Sequence, residues 1–340
     1  GQTSQTECAA GTYQASTGQS SCTDASVGYY VPTTGQTSQT ACLAGTYQVS
    51  TGQPSCTDAD AGNYVDLTAQ TTQTACLAGT YNANTGSTTS SDCLDASAGH
   101  YVDSTAGTAQ TTQTACIAGT YNANTGSTTS SDCLDASAGY YVGSTGQTTQ
   151  TECAAGTYQS ATGQSTCIDA DAGYYVGSTG QTTQTECAAG TYQSATGQSA
   201  CTDASAGYYV GSTGQSSQTE CAAGTYQAST GQSACTDASA GYYVGSTGQS
   251  SQTECAAGTY QASTGQSACT DADAGNYVGS TGQTTQTACL AGTYNANTAS
   301  TTSSDCLDAS AGYYVDSTLG VAQTTQTACL AGTYNVNTGS

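Results

Sequence analysis

Nineteen cysteines recur along 340 residues at two alternating spacings, 14 or 17 positions and then 20 or 23. A chain with this pattern is a tandem array. Units open at Gly1, Gly35, Ala69, Ala109, Gly146, Gly180, Gly214, Gly248, Gly282 and Ala322. They divide the sequence into 1–34, 35–68, 69–108, 109–145, 146–179, 180–213, 214–247, 248–281, 282–321 and a partial tenth unit, 322–340. Each unit is two related halves with one cysteine apiece. Cys221 to Cys235 reads C-A-A-G-T-Y-Q-A-S-T-G-Q-S-A-C, and Ala240 to Cys255 reads A-G-Y-Y-V-G-S-T-G-Q-S-S-Q-T-E-C. Both carry A-G-x-Y, then T-G-Q, then Ser or Thr, then Cys.

The array has little with which to build a conventional core. It holds 9 Leu, 2 Ile and 13 Val, about 7% of the residues, and no Phe, Met or Trp. A charged chain with less than roughly 20% large aliphatics is normally disordered. Cysteine is the available substitute. Regular thiols with no close C-x2-C pair and one His point to an oxidising compartment and away from zinc. No apolar run approaches the roughly 20 residues of a membrane span. The expected location is secreted or cell-surface, with any leader already removed.

Charge narrows the partners. There is no Lys or Arg against 23 Asp and Glu, a net charge of -23. Such a chain has no side chain for nucleic-acid phosphate or anionic lipid. Neither nucleic-acid binding nor membrane insertion is expected, and the spread negative charge solubilises the chain.

Glycine recurs too often for helices. Tyr, Val and Thr between the glycines suit short strands. The T-G-Q step supplies a residue able to take positive φ, so each half is expected to be a small β-hairpin or loop. The Gly of A-G-x-Y is expected to allow close backbone approach beside a disulfide. Tyr, the one large side chain in every half (Tyr13, Tyr30, Tyr47, Tyr64), is read as a plate packed on a disulfide or the next module. Members of the Tyr-Tyr pairs, such as Tyr29 and Tyr208, are read as freer to face outward. Stacking on carbohydrate or another partner is the functional alternative.

The C-A-A-G-T-Y…G-Q-S-x-C run resembles the cysteine-rich ephrin-receptor-like repeats, distant relatives of epidermal-growth-factor and tumour-necrosis-factor-receptor modules. Those modules usually read C-x-x-C-P-x-G-x-Y. Here Cys8 to Tyr13 reads C-A-A-G-T-Y, and in Cys201 to Gly207 an Ala stands at the second cysteine's place. The resemblance implies one bridge per unit, from the Cys before A-G-T-Y to the Cys after T-G-Q-S-x. That gives Cys8–Cys22, Cys42–Cys56, Cys76–Cys93, Cys116–Cys133, Cys153–Cys167, Cys187–Cys201, Cys221–Cys235, Cys255–Cys269 and Cys289–Cys306, with Cys329 awaiting a partner beyond the window. The rival register pairs Cys22–Cys42 onward and strands Cys8; counting alone does not choose. The fold class expected is a small, disulfide-rich, mainly β and irregular chain whose 34–40-residue units stack into an elongated rod. The resemblance also implies a surface or fibre role, since such arrays occur in protist and algal surface proteins, including flagellar hairs.

Ser and Thr make up about a third of the chain. No Asn-x-Ser/Thr sequon occurs, but secreted Ser/Thr-rich stalks are usual acceptors of O-linked sugars. The segment inserted after Gly86 is read as an exposed loop tip. The candidate acceptors are Ser87, Thr88, Thr89, Ser90, Thr128, Thr129, Thr301 and Thr302.

Catalysis is not expected. His100 occupies a slot held elsewhere by Tyr, so it reads as a substituted surface aromatic. Asp58-Ala-Asp60, Asp169-Ala-Asp171 and Asp271-Ala-Asp273 are variants of the D-A-S step and read as turn formers. Calcium is the weaker alternative there, because it needs roughly six to eight oxygens; no cofactor is expected. The partners expected are further copies of the chain, in filaments, and covalent glycans. The competing function is the stalk of a surface adhesin or receptor that reads a ligand through Tyr and Thr. An ice-binding role is disfavoured because the spacing supplies no short T-x-T solenoid period.

Overall fold

A computed structural model describes residues 4–338. From Thr12 to Ala328 the described half-repeats are each one hairpin of two two-residue antiparallel strands. Thr225–Tyr226 pairs with Thr236–Asp237 in the register Thr225↔Asp237 and Tyr226↔Thr236. Tyr242–Tyr243 pairs with Thr253–Glu254 in the register Tyr242↔Glu254 and Tyr243↔Thr253.

The first strand of each hairpin leaves a tight turn. The Thr225 N–H donates to the Ala222 carbonyl at 2.9 Å. Gly224 stands at the third turn position with φ +90°, which is the type II geometry that glycine favours. The Thr225 hydroxyl donates to the same carbonyl at 2.8 Å. The second strand returns until the Ala238 N–H donates to the Gly224 carbonyl at 2.8 Å, closing the hairpin. The equivalent closure in the next half runs from the Cys255 N–H to Gly241.

Half-repeats are joined to their neighbours by backbone hydrogen bonds. The Gly224 N–H donates to Val244 of the next half, and the Gly248 N–H donates back to Cys221. The glycine of A-G-x-Y approaches another backbone closely, and that backbone belongs to a hairpin further along the chain. A Cβ on Gly224 would lie 2.3 Å from the carbonyl oxygen of Gly265, in the turn two half-repeats further on. Gly241 stands in the same relation to Gly282. The hairpins that carry Gly224 and Gly241 are therefore hydrogen-bonded to the next and seated against the next but one.

The interior is a thin line of small groups. Cys221, Ala238 and Cys255 are fully buried and Val244 is 2% exposed. Aligning the halves from the turn places Cys221 over Ala238 and Gln227 over Val244. One half contributes Cys, Gly and Gln inward; the other contributes Ala, Gly and Val. Among the described residues no buried polar side-chain atom lacks a partner.

The bridges are Cys8–Cys22, Cys42–Cys56, Cys76–Cys93, Cys116–Cys133, Cys153–Cys167, Cys187–Cys201, Cys221–Cys235, Cys255–Cys269 and Cys289–Cys306. Cys329 is a free thiol, half-buried. Where the bridge spans 17 positions, the extra residues form short 3-10 turns at Ser90–Asp92, Ser130–Asp132 and Ser303–Asp305. The chain forms two compact units, Gly1–Ile168 with Thr179–Thr183, and Asp169–Ser178 with Gln184–Ser340.

Candidate functional site

The surface chemistry is that of hydroxyls, carboxylates and Tyr, and the hairpins sort these groups into distinct classes. One class of hydroxyl is committed to the fold. Thr46, Thr80, Thr120 and their equivalents donate to the carbonyl three residues back. A second class reaches across half-repeats. Thr213 donates to Glu186 at 2.7 Å and Thr247 to Glu220 at 2.7 Å. The other oxygen of Glu220 accepts from the Tyr208 hydroxyl at 3.2 Å. That hydroxyl bond to the Glu220 carboxylate, followed by its charge, pushes the Tyr208 phenol above its usual value. Tyr29 and Tyr208 are half-buried like their partners Tyr30 and Tyr209, and so are not the outward-facing members of their pairs.

The inserted Ser/Thr segments are more ordered than a bare loop tip. Ser87 is 7% exposed, and the buried Asn82 amide donates to its hydroxyl at 2.7 Å. Ser127 and Ser300 repeat this arrangement with Asn122 and Asn295. Ser87 is thus withdrawn from the surface, contrary to its reading as an exposed acceptor. Its place immediately after the turn glycine puts it under the loop instead of on it. Thr88, Thr89, Ser90, Thr301 and Thr302 are exposed, while Thr128 and Thr129 are half-buried. Thr89 and Ser91 share a hydroxyl–hydroxyl bond of 2.6 Å. Asp132 accepts from the Thr128 and Thr129 backbone N–H groups, and these two bonds hold its carboxyl below the usual carboxylate value.

The paired carboxylates of the D-A-D steps have local partners. Asp60, Asp171 and Asp273 accept from Gln73, Gln184 and Gln286 at 2.7, 2.7 and 2.6 Å. Among the described residues no group of three His, Cys, Asp or Glu side chains is placed to hold a metal ion. His100 is half-buried in a Tyr slot, opposite Ala115, with Nδ1 3.3 Å from the Ala98 carbonyl.

A shallow recess of about 190 Å³ lies beside the Cys289–Cys306 bridge, lined by Tyr277, Leu290, Thr293 and Ser303. An equivalent one beside Cys76–Cys93 is lined by Tyr64, Leu77, Thr80 and Ser90. Among the described residues no helix is long and apolar enough to cross a membrane.

A feature not read from the sequence is the Gln of the Q-T-E/A-C step. Gln218 stands where Cys201 stands in the preceding half. Its Oε1 accepts from the Ser205 N–H at 2.6 Å, so it ties the hairpin that has no bridge. Gln39, Gln73, Gln113, Gln150, Gln184, Gln252, Gln286 and Gln326 do the same for their hairpins. The signal available in sequence was the recurrence of Gln 14 positions after the D-A-S alanine, the same interval that separates the bridged cysteines. No protein-family model matches the chain, and no curated protein matches it.

Proposed function

We propose that the chain is a structural segment of an extracellular, O-glycosylated fibre, in which the hairpins continue one upon the next as an elongated rod. The observation that supports this reading is the uniformity of the stacking rule. Within each compact unit, hairpin after hairpin offers its neighbours the same glycine N–H, the same turn carbonyl and the same buried Cys or Ala, as Gly190, Gly207, Gly224 and Gly241 do. A one-dimensional array of this kind gains length without needing a larger core. Bridges at short range suit an oxidising exterior and stabilise modules too small to bury much apolar surface. Catalysis has no part in the proposal.

Electron microscopy of the secreted chain tests it. Thin, unbranched fibres with an axial period that matches the repeat are expected. Discrete particles that do not lengthen at any concentration would overturn the reading and favour the receptor or adhesin stalk.

A further inference from the structure

We infer that, where a strand threonine lies directly opposite a Tyr, it is a glycosylation site, and that the attached sugar stacks on the Tyr ring. This rests on the O-glycosylated reading above but places the acceptors on the hairpins, away from the inserted loops. In the register of the hairpins, Tyr209 lies directly opposite Thr219, Tyr226 opposite Thr236, and Tyr243 opposite Thr253. Directly opposed residues on an antiparallel pair project to the same face, with Cβ atoms about 5 Å apart. These threonines are exposed, and their rings are half-buried.

Three observations single out this position. First, its hydroxyl is not committed to the fold: the Thr225 hydroxyl donates to its own turn and that of Thr213 to a Glu, whereas the side-chain hydroxyls of Thr219, Thr236 and Thr253 make no hydrogen bond. Second, the ring lies close to the main chain on one side. A Cβ on Gly211 would sit 3.5 Å from Cε2 of Tyr209, and one on Gly245 would sit 3.5 Å from Cε2 of Tyr243. Third, the hairpins with the longer bridge place an aliphatic group there instead. Leu94 faces Tyr81, Leu134 faces Tyr121 and Leu307 faces Tyr294. Leu can cover the ring by itself; Thr, two carbons out from the backbone, leaves it for something attached. The C–H face of a pyranose on Thr fits that role, since Tyr joins an apolar face to a wet edge.

The chemistry is glycosyl transfer from an activated sugar, such as a nucleoside diphosphate sugar, by a transferase. The Thr oxygen forms a bond to the anomeric carbon as the carbon–oxygen bond to phosphate breaks. The electron pair leaves with the nucleoside diphosphate, and the hydroxyl proton passes to a base of the transferase.

Mass-spectrometric site mapping of the full secreted chain tests the assignment. Trypsin has no site in a chain without Lys or Arg, so digestion is directed to Asp and Glu. Sugar is expected on Thr219, Thr236 and Thr253. Thr219→Val, which keeps the β-branched shape, is expected to lower the chain mass by one glycan while the hairpin stays folded. In the glycosylated chain, the sugar ring protons should be shifted upfield by the Tyr ring. Sugar confined to Thr88, Thr89, Ser90 and their equivalents, with the strand threonines bare, would overturn this inference and leave the fibre reading standing. A chain bearing no sugar would overturn both. Sugar on the strand threonines with no upfield shift would overturn the stacking.

Discussion

At the scale of single residues, the two glycines of each hairpin look alike by dihedral angle and differ by surroundings. Gly224 has φ +90° and Gly231 has φ +70°. A methyl on Gly224 would meet the Gly265 carbonyl at 2.3 Å, a backbone atom that cannot move without shifting a second hairpin. A methyl on Gly231 would meet only the Asp203 carboxylate, at 3.4 Å. The sequence itself carries Ala at four turn positions with φ near +60°, namely Ala69, Ala109, Ala299 and Ala322. Gly231→Ala is therefore expected to cost about 1 kcal/mol, the strain of a left-handed residue. Gly224→Ala should exceed about 3 kcal/mol, because the clash adds to that strain. Denaturant titration of the two variants checks the ordering; equal losses would mean that the contact two half-repeats away contributes nothing.

The Asp132 carboxylate gives a pH prediction at the same scale. Its folded value lies below the usual 3.8, held down by the Thr128 and then the Thr129 N–H groups. A depressed acid stabilises the folded turn above its unfolded value and loses that contribution as pH falls through the folded value. The turn at Ser130–Asp132 should therefore loosen below about pH 3.8 while the hairpin strands persist. Amide exchange at Thr128 and Thr129 should accelerate there before exchange at Tyr121 does. Simultaneous loss at all three would show that the cap does not act locally.

Among elements, the two kinds of hairpin are one design with two closures. Cys187 to Cys201 and Ala204 to Gln218 both span 14 positions, and both pairs sit in the same place relative to the strands Thr191–Tyr192, Thr202–Asp203, Tyr208–Tyr209 and Thr219–Glu220. Replacing Ala204 and Gln218 together by Cys is expected to give a tenth bridge. A loop of about 15 residues should gain about 3 kcal/mol from such closure, less the roughly 1 kcal/mol of the lost Gln hydrogen bond. Thermal melting under oxidising and reducing conditions reads the difference. A double variant that stays reduced, or that melts lower when oxidised, would show that the unbridged hairpin has a different geometry.

This level also shows what the sequence made legible. The turn glycines and the short strands follow from local spacing, and local spacing is what a single sequence exposes. The seat of Gly224 on Gly265 joins residues 41 positions apart, and nothing in either segment names the other. Ser87 and Gln218 escaped for a related reason. Each is polar in a Ser/Thr/Gln-rich chain, and only the fold distinguishes a buried Ser under Asn82 or a clamping Gln from dozens of solvated ones. Loop length and the buried amide do change together: Gln227 reaches the Ala234 carbonyl in a short loop, whereas Asn82, one methylene shorter, reaches Ser87 in a long one.

For the molecule as a whole, the backbone contacts given for the described residues, such as Gly224 to Val244 and to Gly265, reach one and two hairpins along, and this makes a 34-residue repeat replaceable by the next. Residues 214–247 and 248–281 are near-copies. Deleting 214–247 joins Thr213 to Gly248, the same class of junction as Thr247 to Gly248 in the intact chain. The incoming hairpins present Val278 and Gly282 where Val244 and Gly248 were, so every backbone donor finds an equivalent acceptor. Stability in such an array is a sum of unit and nearest-neighbour terms, so loss of one interior repeat should shift the melting temperature only slightly. The β signal per residue should stay unchanged, with eight bridges remaining of nine. A globular protein losing 34 interior residues would instead lose part of a shared core and unfold. Calorimetry and non-reducing mass measurement of the shortened chain distinguish the two. A collapse of the transition would mean that the repeats depend on long-range contacts, and the chain could not then lengthen by simple addition.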